Sequence, residues 1–346
     1  MTIHYPNLLP TDLDDALMVG RVWRPAPIDG PAVVAVRRGR LVDISAHAST
    51  IAGLLERKDA VAIARTAEGE DLGDAAQLLS AAAELRLQLQ ASIGTDLSAI
   101  KPGSEAALRL KAELSARGLW SQYMEVGIGP DAEVFTKSQP MSAVGHGAEV
   151  GLHPTSHWNN PEPEIVLAVN SLGLVVGAAL GNDVNLRDIE GRSALLLGKA
   201  KDNNGSCAIG PFIRLFDDCF TMNTLRHAEV SLLIEGADDG FELSGSSRMR
   251  EISREPLDLV EQTCGRHHQY PDGFMLFLGT MFSPIKDRGV AGAGFTHHLG
   301  DRVSISTSSL GTLVNTVGRS DEIPAWDFGV RAFYANLARR NLLAVA

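Results

Sequence analysis

Cysteine is scarce in this sequence. Its 346 residues include three cysteines, Cys207, Cys219 and Cys264. An odd number of cysteines without CxxC spacing predicts neither a disulfide framework nor a cysteine metal site. The composition therefore favours a reducing compartment, and we expect a cytoplasmic protein.

Long apolar runs and a basic amino-terminal segment are also absent. The longest apolar tract, residues 165–180, is interrupted by Asn170, Ser171 and Gly173 and is shorter than the roughly 20 residues that cross a bilayer. Residues 1–15 lack the basic start and the apolar core of a secretory signal. We therefore expect neither a membrane anchor nor export.

Positive charge is in deficit, with 31 lysines and arginines against 42 acidic residues and a formal net charge of −11. This balance argues against binding to DNA, RNA or an anionic membrane. A small acidic substrate would need a local source of positive charge, such as a divalent cation with a few basic side chains. We therefore expect a small-molecule ligand and search the sequence for such a site.

The amino-terminal part combines a hairpin with helices. Residues 32–36 and 41–44 flank a polar turn and predict two paired strands. Helical periodicity predicts helices over residues 74–90 and 104–117. We place a domain boundary here, with an amino-terminal domain at 1–115 and a catalytic domain at 116–346.

Beyond residue 118 the sequence changes to short apolar runs separated by Gly, Pro, Asn and Asp, which predict strands and loops. One helix is predicted over residues 257–264. Strands and helices do not alternate at βαβ spacing, which argues against a doubly wound nucleotide-binding fold. The predicted strands are residues 133–136, 164–169, 174–180, 229–234, 275–279 and 302–306.

The most informative segment is residues 161–188, PEPEIVLAVNSLGLVVGAALGNDVNLRD. Glu162 and Glu164 lie two residues apart in a strand-like run, so both carboxylates point to one face of the strand. Two like charges side by side are costly unless a cation or a shared proton offsets them. The alternative interpretation is that both glutamates are solvated at an exposed strand end.

A third carboxylate is predicted to join this pair. The strand at residues 174–180 returns antiparallel after an Asn-Ser-Leu-Gly turn and leads to Asp183. Three oxygen ligands suit Mg²⁺, Mn²⁺ or Ca²⁺, whereas the lack of nearby cysteine and of HxxxH spacing argues against zinc. The segment therefore indicates a site for a hard divalent cation.

The order of several motifs resembles the shared core of the fumarylacetoacetate hydrolase superfamily. The ExE pair and its hairpin are followed by GNDVNLRD at 181–188, GKAKDNNGSCAIGPFI at 198–213 and LGT at 278–280. The resemblance covers roughly residues 115–317. It implies an α+β fold, in which a mostly-β carboxy-terminal domain with a mixed β-sheet roll or barrel carries a smaller α/β amino-terminal domain.

The resemblance also implies roles for individual residues. The family's metal ligands, with Mg²⁺ as the expected ion, fall on Glu162, Glu164 and Asp183, and its active-site lysine falls on Lys201. The positions that bind substrate in the family fall on Arg187, Lys137, Gly205 and Thr280. Around Lys137 the sequence departs from the family's FxKP pattern, with Thr136 before the lysine and Ser138 after it.

For three of these residues a purely structural interpretation stays open. Arg187 can pair with Asp188 at a strand end, Lys201 can be a solvated surface lysine, and Thr280 can cap a strand.

One departure from the family bears on the reaction type. Hydrolytic relatives carry an H-x-x-E pair on a lid before the FxKP-type lysine, where the histidine helps to activate water. Residues 119–137 contain no histidine, and Glu125 is the candidate for the acidic partner. The nearest alternatives are His146, His153 and His157, which follow the lysine.

The missing histidine favours elimination over hydrolysis. In the family a 2-keto acid chelates the metal, which acidifies the protons on C3 so that a C4 hydroxyl can leave. The KAKDNNGSCAIGPF run resembles the sugar-acid branch of the family. We therefore predict a Mg²⁺-dependent dehydratase that converts 2-keto-3-deoxy-D-pentonate to 2-oxoglutarate semialdehyde. Lys201 is the candidate for the C3 base or for orienting the keto group, and Glu125 is the candidate acid.

Two other functions stay open at this point. One is a hydrolase that cleaves the C–C bond of an acylpyruvate or a 2,4-diketo-3-deoxy sugar acid with the help of a loop histidine. The other is a non-catalytic protein that binds keto acids. The family resemblance also implies a homodimer.

Overall fold

The computed structural model describes residues 8–82, 101–116, 118 and 120–343. Within these residues the strands form an eight-stranded sheet and a five-stranded sheet, and helices lie around them. The strands are Met18–Arg24 (β1), Gly30–Arg37 (β2), Arg40–Asp43 (β3), Glu70–Asp74 (β4), Glu149–Leu152 (β5), Asn160–Val169 (β6), Val175–Asn185 (β7), Cys207–Leu215 (β8), Glu229–Glu235 (β9), Glu242–Arg248 (β10), Phe274–Phe277 (β11), Arg302–Thr307 (β12) and Gly311–Arg319 (β13).

The helices are mostly short and connect strands along the chain. They are Ile51–Leu55 (α1), Ala60–Thr66 (α2), Ala75–Ala82 (α3), Glu105–Ala116 (α4), Gln122–Ile128 (α5), Arg187–Glu190 (α6), Leu197–Lys201 (α7), Met222–Arg226 (α8), Pro256–Thr263 (α9) and Val330–Arg339 (α10). None of the helices in the described residues is long and apolar enough to cross a membrane.

The two sheets differ in strand direction. The larger one has the order β11-β6-β7-β8-β1-β2-β3-β4, and all its neighbouring strands are antiparallel. The smaller one has the order β10-β9-β12-β13-β5 and is mixed, because β13 and β5 are parallel. This arrangement confirms the predicted α+β class with a mixed β-sheet in the carboxy-terminal part.

The larger sheet runs through both parts of the chain. Strand β1 pairs with β8, so that Met18 lies opposite Arg214 and Val19 opposite Ile213. The buried guanidinium of Arg214 donates to Asp12 Oδ1 at 2.7 Å, which ties the amino-terminal segment to the same region. The division at residue 115/116 stays a prediction, and strands on both sides of it share one sheet.

Most of the predicted elements are confirmed with small shifts of their ends. The hairpin appears as β2 and β3, and the helix predicted at 104–117 appears as α4. Helix α3 covers the start of the helix predicted at 74–90, and residues 83–90 lie outside the described part of the chain.

The strand predicted at residues 133–136 is wrong. This segment forms neither a helix nor a strand and belongs to neither sheet. The proline residues Pro130 and Pro140 flank it, and Lys137 at its end turns inward to donate to backbone carbonyls of Val184 and Lys201. The path of this segment is therefore fixed by the contacts of Lys137 and not by pairing with a neighbouring strand.

Strands β6 and β7 form a hairpin that is largely buried. Its central residues Ile165, Val166, Leu167 and Ala168 are at most 1% exposed, since both faces of β6 are covered. Burying one such aliphatic side chain contributes about 1.5–3 kcal/mol. The hairpin therefore forms a rigid support for the polar residues at its open end.

Candidate metal centre and active site

Three carboxylates meet at the open end of the β6–β7 hairpin. Glu162 lies directly opposite Asp183 in the antiparallel register, and Glu164 projects from the same face of β6. One oxygen atom from each of the three side chains lies within 4.8 Å of the other two. Glu164 and Asp183 are buried, and Glu162 is partly buried. The structure thus brings together the three residues that the sequence singles out, and they do not lie at an exposed strand end.

A glycine makes room for this cluster. Gly181 is paired with Glu164, and a Cβ atom at this position would lie 2.4 Å from Phe277 Cε1 and 2.5 Å from Val166 Cγ2. Without a side chain at residue 181, β11 can pack closely against the hairpin. The chain that follows β11 then delivers the N–H of Gly279, which donates to Glu164 Oε2 at 2.6 Å.

The cluster is short of positive charge at Glu164. Burial raises the pKa of Glu164 well above its usual range, and the neighbouring carboxylates of Asp183 and Glu162 raise it further. Burial also raises the pKa of Glu162, although the ammonium group of Lys201 opposes this shift. The negative form of Glu164 is therefore unfavourable unless a further cation approaches.

Two buried lysines face the other two carboxylates. Lys201 Nζ lies 2.5 Å from Glu162 Oε2 and 3.2 Å from Asp183 Oδ2, and Lys137 Nζ lies 2.8 Å from Asp183 Oδ1. Burial lowers the pKa of Lys201, but Asp183 and Glu162 outweigh this effect, so the pKa is raised and the ammonium form is favoured. Lys201 is not a solvated surface lysine, and Lys137 lies in the same polar cluster.

The donor set fits a hard divalent cation. Three carboxylates supply oxygen ligands, which Mg²⁺, Mn²⁺ and Ca²⁺ prefer. Glu164 accepts a hydrogen bond from a backbone N–H, whereas Glu162 and Asp183 each face a lysine, so Glu164 is the carboxylate at which added positive charge would stabilise the cluster most. The described residues around the cluster offer no cysteine or histidine ligand group to it.

A second acidic group offers a weaker case for a metal. Ligand atoms of Asp238, Asp239 and His298 also lie within 4.8 Å of one another. However, Arg288 lies 2.8 Å from Asp239 and 3.5 Å from Asp238, so a guanidinium already neutralises this group.

The predicted substrate-binding residues have different surroundings. Thr280 is adjacent to the Gly279 amide that contacts Glu164, and its hydroxyl donates to Phe282 O at 2.7 Å. Arg187 begins α6, and its guanidinium lies over the Trp158 ring at 5.4 Å. Asp188 Oδ1 accepts a hydrogen bond from Ser156 Oγ at 2.7 Å, and Asp188 Oδ2 accepts one from the backbone N–H of His157 at 2.8 Å.

Gly205 is buried and lies next to β5. Its φ of +67° is in the left-handed region, and a Cβ atom there would lie 2.5 Å from Ile323 Cδ1. Its carbonyl accepts the N–H of Gly151 at 2.8 Å. These contacts explain why a glycine is needed at position 205. The assignment of Gly205 to substrate binding stays a prediction.

The surroundings of Glu125 do not suit a proton donor. Its carboxylate accepts hydrogen bonds from Lys111 Nζ at 2.5 Å and Trp120 Nε1 at 2.8 Å. These two partners lower the pKa of Glu125, so that its carboxyl group is ionised near neutral pH. Within the described residues, none of its hydrogen bonds or ion pairs reaches the three-carboxylate cluster.

The pKa of Glu133 responds to charged residues of the site, and sequence reasoning missed this residue. Partial burial of its carboxyl group raises its pKa, Glu190 raises it further, and Lys201 opposes the shift. The charges of Glu190 and Lys201 therefore act on the carboxyl group of Glu133, although this residue is exposed to solvent. The available signal was its position four residues before Lys137, which the strand prediction obscured.

Asn185 and Glu190 were also missed by sequence reasoning. The side-chain amide of Asn185 donates to Glu162 Oε1 at 2.8 Å and to Glu190 Oε2 at 2.7 Å. Both residues lie in the NDVNLRDIE run that also contains Asp183. The signal was present in that run, but only the β6–β7 register connects Asn185 with Glu162.

The loop histidines lie away from the carboxylates. His146 packs against β13, with Nδ1 3.1 Å from Thr312 O, and burial lowers its pKa to about 4. His153 and His157 line a separate cavity of about 290 Å³ that also contains His297 and Arg319. None of the three histidines belongs to the group of ligand atoms around Asp183.

Comparisons with known proteins agree with this architecture. Residues 118–318, more than half of the chain, match the family model described as fumarylacetoacetate (FAA) hydrolase, C-terminal. A curated protein of Saccharolobus solfataricus named 2-dehydro-3-deoxy-D-arabinonate dehydratase is 30% identical over 191 residues, which are 55% of this chain and 60% of that protein. A Haloferax volcanii protein named "Probable 2-keto-3-deoxyxylonate dehydratase" is 32% identical over 195 residues, 56% of this chain and 63% of that protein.

The matched region spans about three fifths of the length of these curated relatives. Among solved structures, one described as 2-keto-3-deoxy-D-arabinonate dehydratase complexed with magnesium and 2,5-dioxopentanoate superposes with a TM-score of 0.62. It is 22% identical, and the match covers 88% of this chain and 98% of that chain. At this level of identity the likeness shows a shared fold.

Proposed function

Because the chain belongs to the fumarylacetoacetate hydrolase family, we propose that it is a Mg²⁺-dependent dehydratase that converts 2-keto-3-deoxy-D-pentonate to 2-oxoglutarate semialdehyde. The observation that carries the proposal is the buried cluster of Glu162, Glu164 and Asp183 with Lys201 against two of its carboxylates. Oxygen ligands, a lysine and a nearby acid together form a site for polarising and deprotonating a keto acid.

The names of the relatives support the substrate class. Both curated relatives are named as dehydratases of 2-keto-3-deoxy five-carbon sugar acids. The similar solved structure is described with magnesium and 2,5-dioxopentanoate, which is 2-oxoglutarate semialdehyde. We extend this substrate, this product and this ion to the present chain as a proposal.

Glu162, Glu164 and Asp183 would hold the metal ion. When bound, Mg²⁺ supplies a Lewis acid for the C1 carboxylate and the C2 keto oxygen, which makes the C3 protons more acidic. Lys201, kept in its ammonium form by Glu162 and Asp183, is suited to donating a hydrogen bond to the keto end rather than to removing a proton. Arg187, Thr280, Lys137 and Gly205 complete the proposed set of substrate-binding residues.

We assign proton transfer to Glu133 in place of Glu125. In the proposed elimination the Glu133 carboxylate takes a proton from C3, and the C4–O bond breaks as the C3–C4 double bond forms. The same carboxyl group returns the proton to the departing oxygen, so that one water molecule leaves. The unsaturated acid then loses a proton from C5 and gains one at C3, and the resulting C5 enol becomes the aldehyde when C4 gains a proton and the C5 hydroxyl loses one.

The assignment predicts different outcomes for the two glutamates. Glu133→Gln is expected to lower kcat about 10²- to 10⁴-fold, because a general acid–base group is removed. Glu125→Gln should leave kcat within about fivefold of wild type, since Glu125 is engaged with Lys111 and Trp120. Initial rates of semialdehyde formation at saturating substrate measure both effects, and a larger loss in Glu125→Gln would contradict the assignment.

The function itself is tested by incubating the purified protein with Mg²⁺ and 2-keto-3-deoxy-D-pentonate. We expect one equivalent of 2-oxoglutarate semialdehyde per substrate consumed, detected as its aldehyde adduct by mass spectrometry. Acylpyruvates serve as the control substrates and should show no loss of enol absorbance. If the protein cleaves acylpyruvates and leaves 2-keto-3-deoxy-D-pentonate unchanged, the dehydratase proposal is rejected in favour of a hydrolase.

We further propose that the enzyme works as a homodimer in the cytoplasm, with an amino-terminal domain at 1–115 and a catalytic domain at 116–346. The family resemblance supports the dimer, and the few cysteines support the reducing compartment. Light scattering coupled to size-exclusion chromatography measures the oligomeric state, and a monomer mass would contradict it.

A further inference from the structure

We infer that Asn185 is a positioning residue of the metal centre and that it acts by joining Glu162 to Glu190 through one side-chain amide. The Asn185 Nδ2 atom lies 2.8 Å from Glu162 Oε1 and 2.7 Å from Glu190 Oε2. The inference rests on the proposed role of Glu162 as a metal ligand.

The chemistry of the two neighbours fixes the orientation of the amide. The NH₂ end of Asn185 carries its two donors, and it faces an oxygen of each carboxyl group. Its two hydrogens are then both in use. The Oδ1 atom is buried and has no hydrogen-bond partner among the described residues. The two carboxylates are therefore what holds this amide in place.

In return, Asn185 fixes the orientation of Glu162. Glu162 Oε1 accepts from Asn185, while Oε2 lies 2.5 Å from Lys201 Nζ. With a donor on each oxygen, the carboxylate has one preferred rotation about its terminal bond. Hydrogen-bond partners that orient a metal ligand in this way typically contribute 10- to 100-fold to metal affinity.

Glu190 takes part through Asn185. It is the last residue of α6, the short helix that begins with Arg187. Its carboxylate accepts one amide hydrogen of Asn185, and the other amide hydrogen is donated to Glu162 on β6. Glu190 is therefore a positioning residue as well, and it connects α6 with the metal-binding strand.

The experiment measures Mn²⁺ binding to the metal-free protein by electron paramagnetic resonance, without substrate. Asn185→Leu keeps the side-chain volume but removes both donors, and we expect Mn²⁺ to bind about 10- to 100-fold more weakly. The matched control is Asn315→Leu, because Asn315 is equally buried and its amide joins Gly145 O and Ala148 O instead of carboxylates. This control should bind Mn²⁺ as the wild type does.

Two variants at Glu190 separate hydrogen bonding from charge. Glu190→Gln keeps an oxygen that can accept from Asn185, so we expect Mn²⁺ affinity within about twofold of wild type. Glu190→Ala removes that acceptor and should weaken Mn²⁺ binding severalfold. Equal weakening by both variants would mean that charge alone matters, and it would overturn the role of the Asn185 bridge.

The outcomes distinguish this inference from the proposed function. If the wild type binds Mn²⁺ and Asn185→Leu binds it equally well, the positioning role is wrong while the metal site stands. If the wild type binds no Mn²⁺, the proposed function and the inference both fail. If Asn185→Leu does not fold, the two Glu190 variants decide the question by themselves, since Glu190 is only partly buried.

Discussion

Replacing Glu164 with glutamine is expected to abolish metal-dependent activity, with kcat/KM falling at least about 10³-fold. The reason is that Glu164 is the carboxylate of the cluster with the greatest need for added positive charge. A metal acting as a Lewis acid contributes several kcal/mol, and about 4 kcal/mol corresponds to a factor of 10³ in rate. Initial rates over a range of Mg²⁺ concentrations measure the effect.

The stability of Glu164→Gln is expected to change in the opposite direction. In the metal-free wild type, Glu164 is buried beside two other carboxylates, which destabilises its charged form. A neutral amide of the same shape removes that cost, so the melting temperature without metal should equal or exceed that of wild type. Mg²⁺ should raise the melting temperature of the wild type and leave the variant unchanged.

Glu125→Gln provides the matched control for this experiment. It is the same substitution at a carboxylate whose partners are Lys111 and Trp120. It should keep both the response to Mg²⁺ and the activity. A Glu164→Gln variant that is still stabilised by Mg²⁺, or wild-type turnover that survives exhaustive EDTA treatment, would contradict the assignment of the metal site.

Lys201→Met is expected to lower kcat about 10²- to 10³-fold, which is the usual loss when a hydrogen-bond donor to a developing oxyanion is removed. The methionine keeps most of the side-chain volume but removes the ammonium group that contacts Glu162 and Asp183. Loss of one partner of a buried ion pair destabilises a protein by roughly 3–5 kcal/mol. The metal-free variant should therefore unfold at clearly lower denaturant concentration than wild type.

Adding Mg²⁺ separates the two roles of Lys201. A divalent cation can compensate the carboxylates, so Mg²⁺ should restore most of the stability of Lys201→Met. Turnover should stay low, because the hydrogen-bond donor to the substrate is missing. Recovery of turnover together with stability would show that Lys201 acts only through its charge.

Lys199→Met is the control within the same helix. Lys199 is exposed and lies two residues before Lys201 on α7. A surface substitution of this kind usually changes stability by less than about 0.5 kcal/mol. Activity and stability should both remain close to wild type, so that a defect in Lys201→Met cannot be attributed to the helix as a whole.

The carboxylate cluster was predictable because it depends on local geometry. A strand places residues two apart on one face, and a tight antiparallel hairpin returns the chain beside itself. Glu162 and Glu164 follow from the first rule, and Asp183 follows from the second. Both rules act over a short stretch of chain, where distant contacts have little influence.

The residue that we propose for proton transfer, Glu133, was not predictable by the same means. The segment that contains Glu133 looks like a strand by composition, but it is unpaired and follows the inward turn of Lys137. Glu125 took its place in the sequence interpretation because it fits a family motif. The hydrogen bonds that Glu125 accepts from Lys111 and Trp120 depend on how α4 and α5 pack, and sequence spacing does not reveal that packing.

The sequence by itself determined the class of the fold, the family and the three carboxylates, because these features arise from periodicity and from ordered motifs. Only the tertiary structure decided that β1 joins β8 in one sheet and that Asn185 connects Glu162 with Glu190. The same holds for the effect of Glu190 and Lys201 on the pKa of Glu133. These contacts join residues far apart in the chain or on different elements, and their positions are fixed by packing of the whole molecule rather than by local preference.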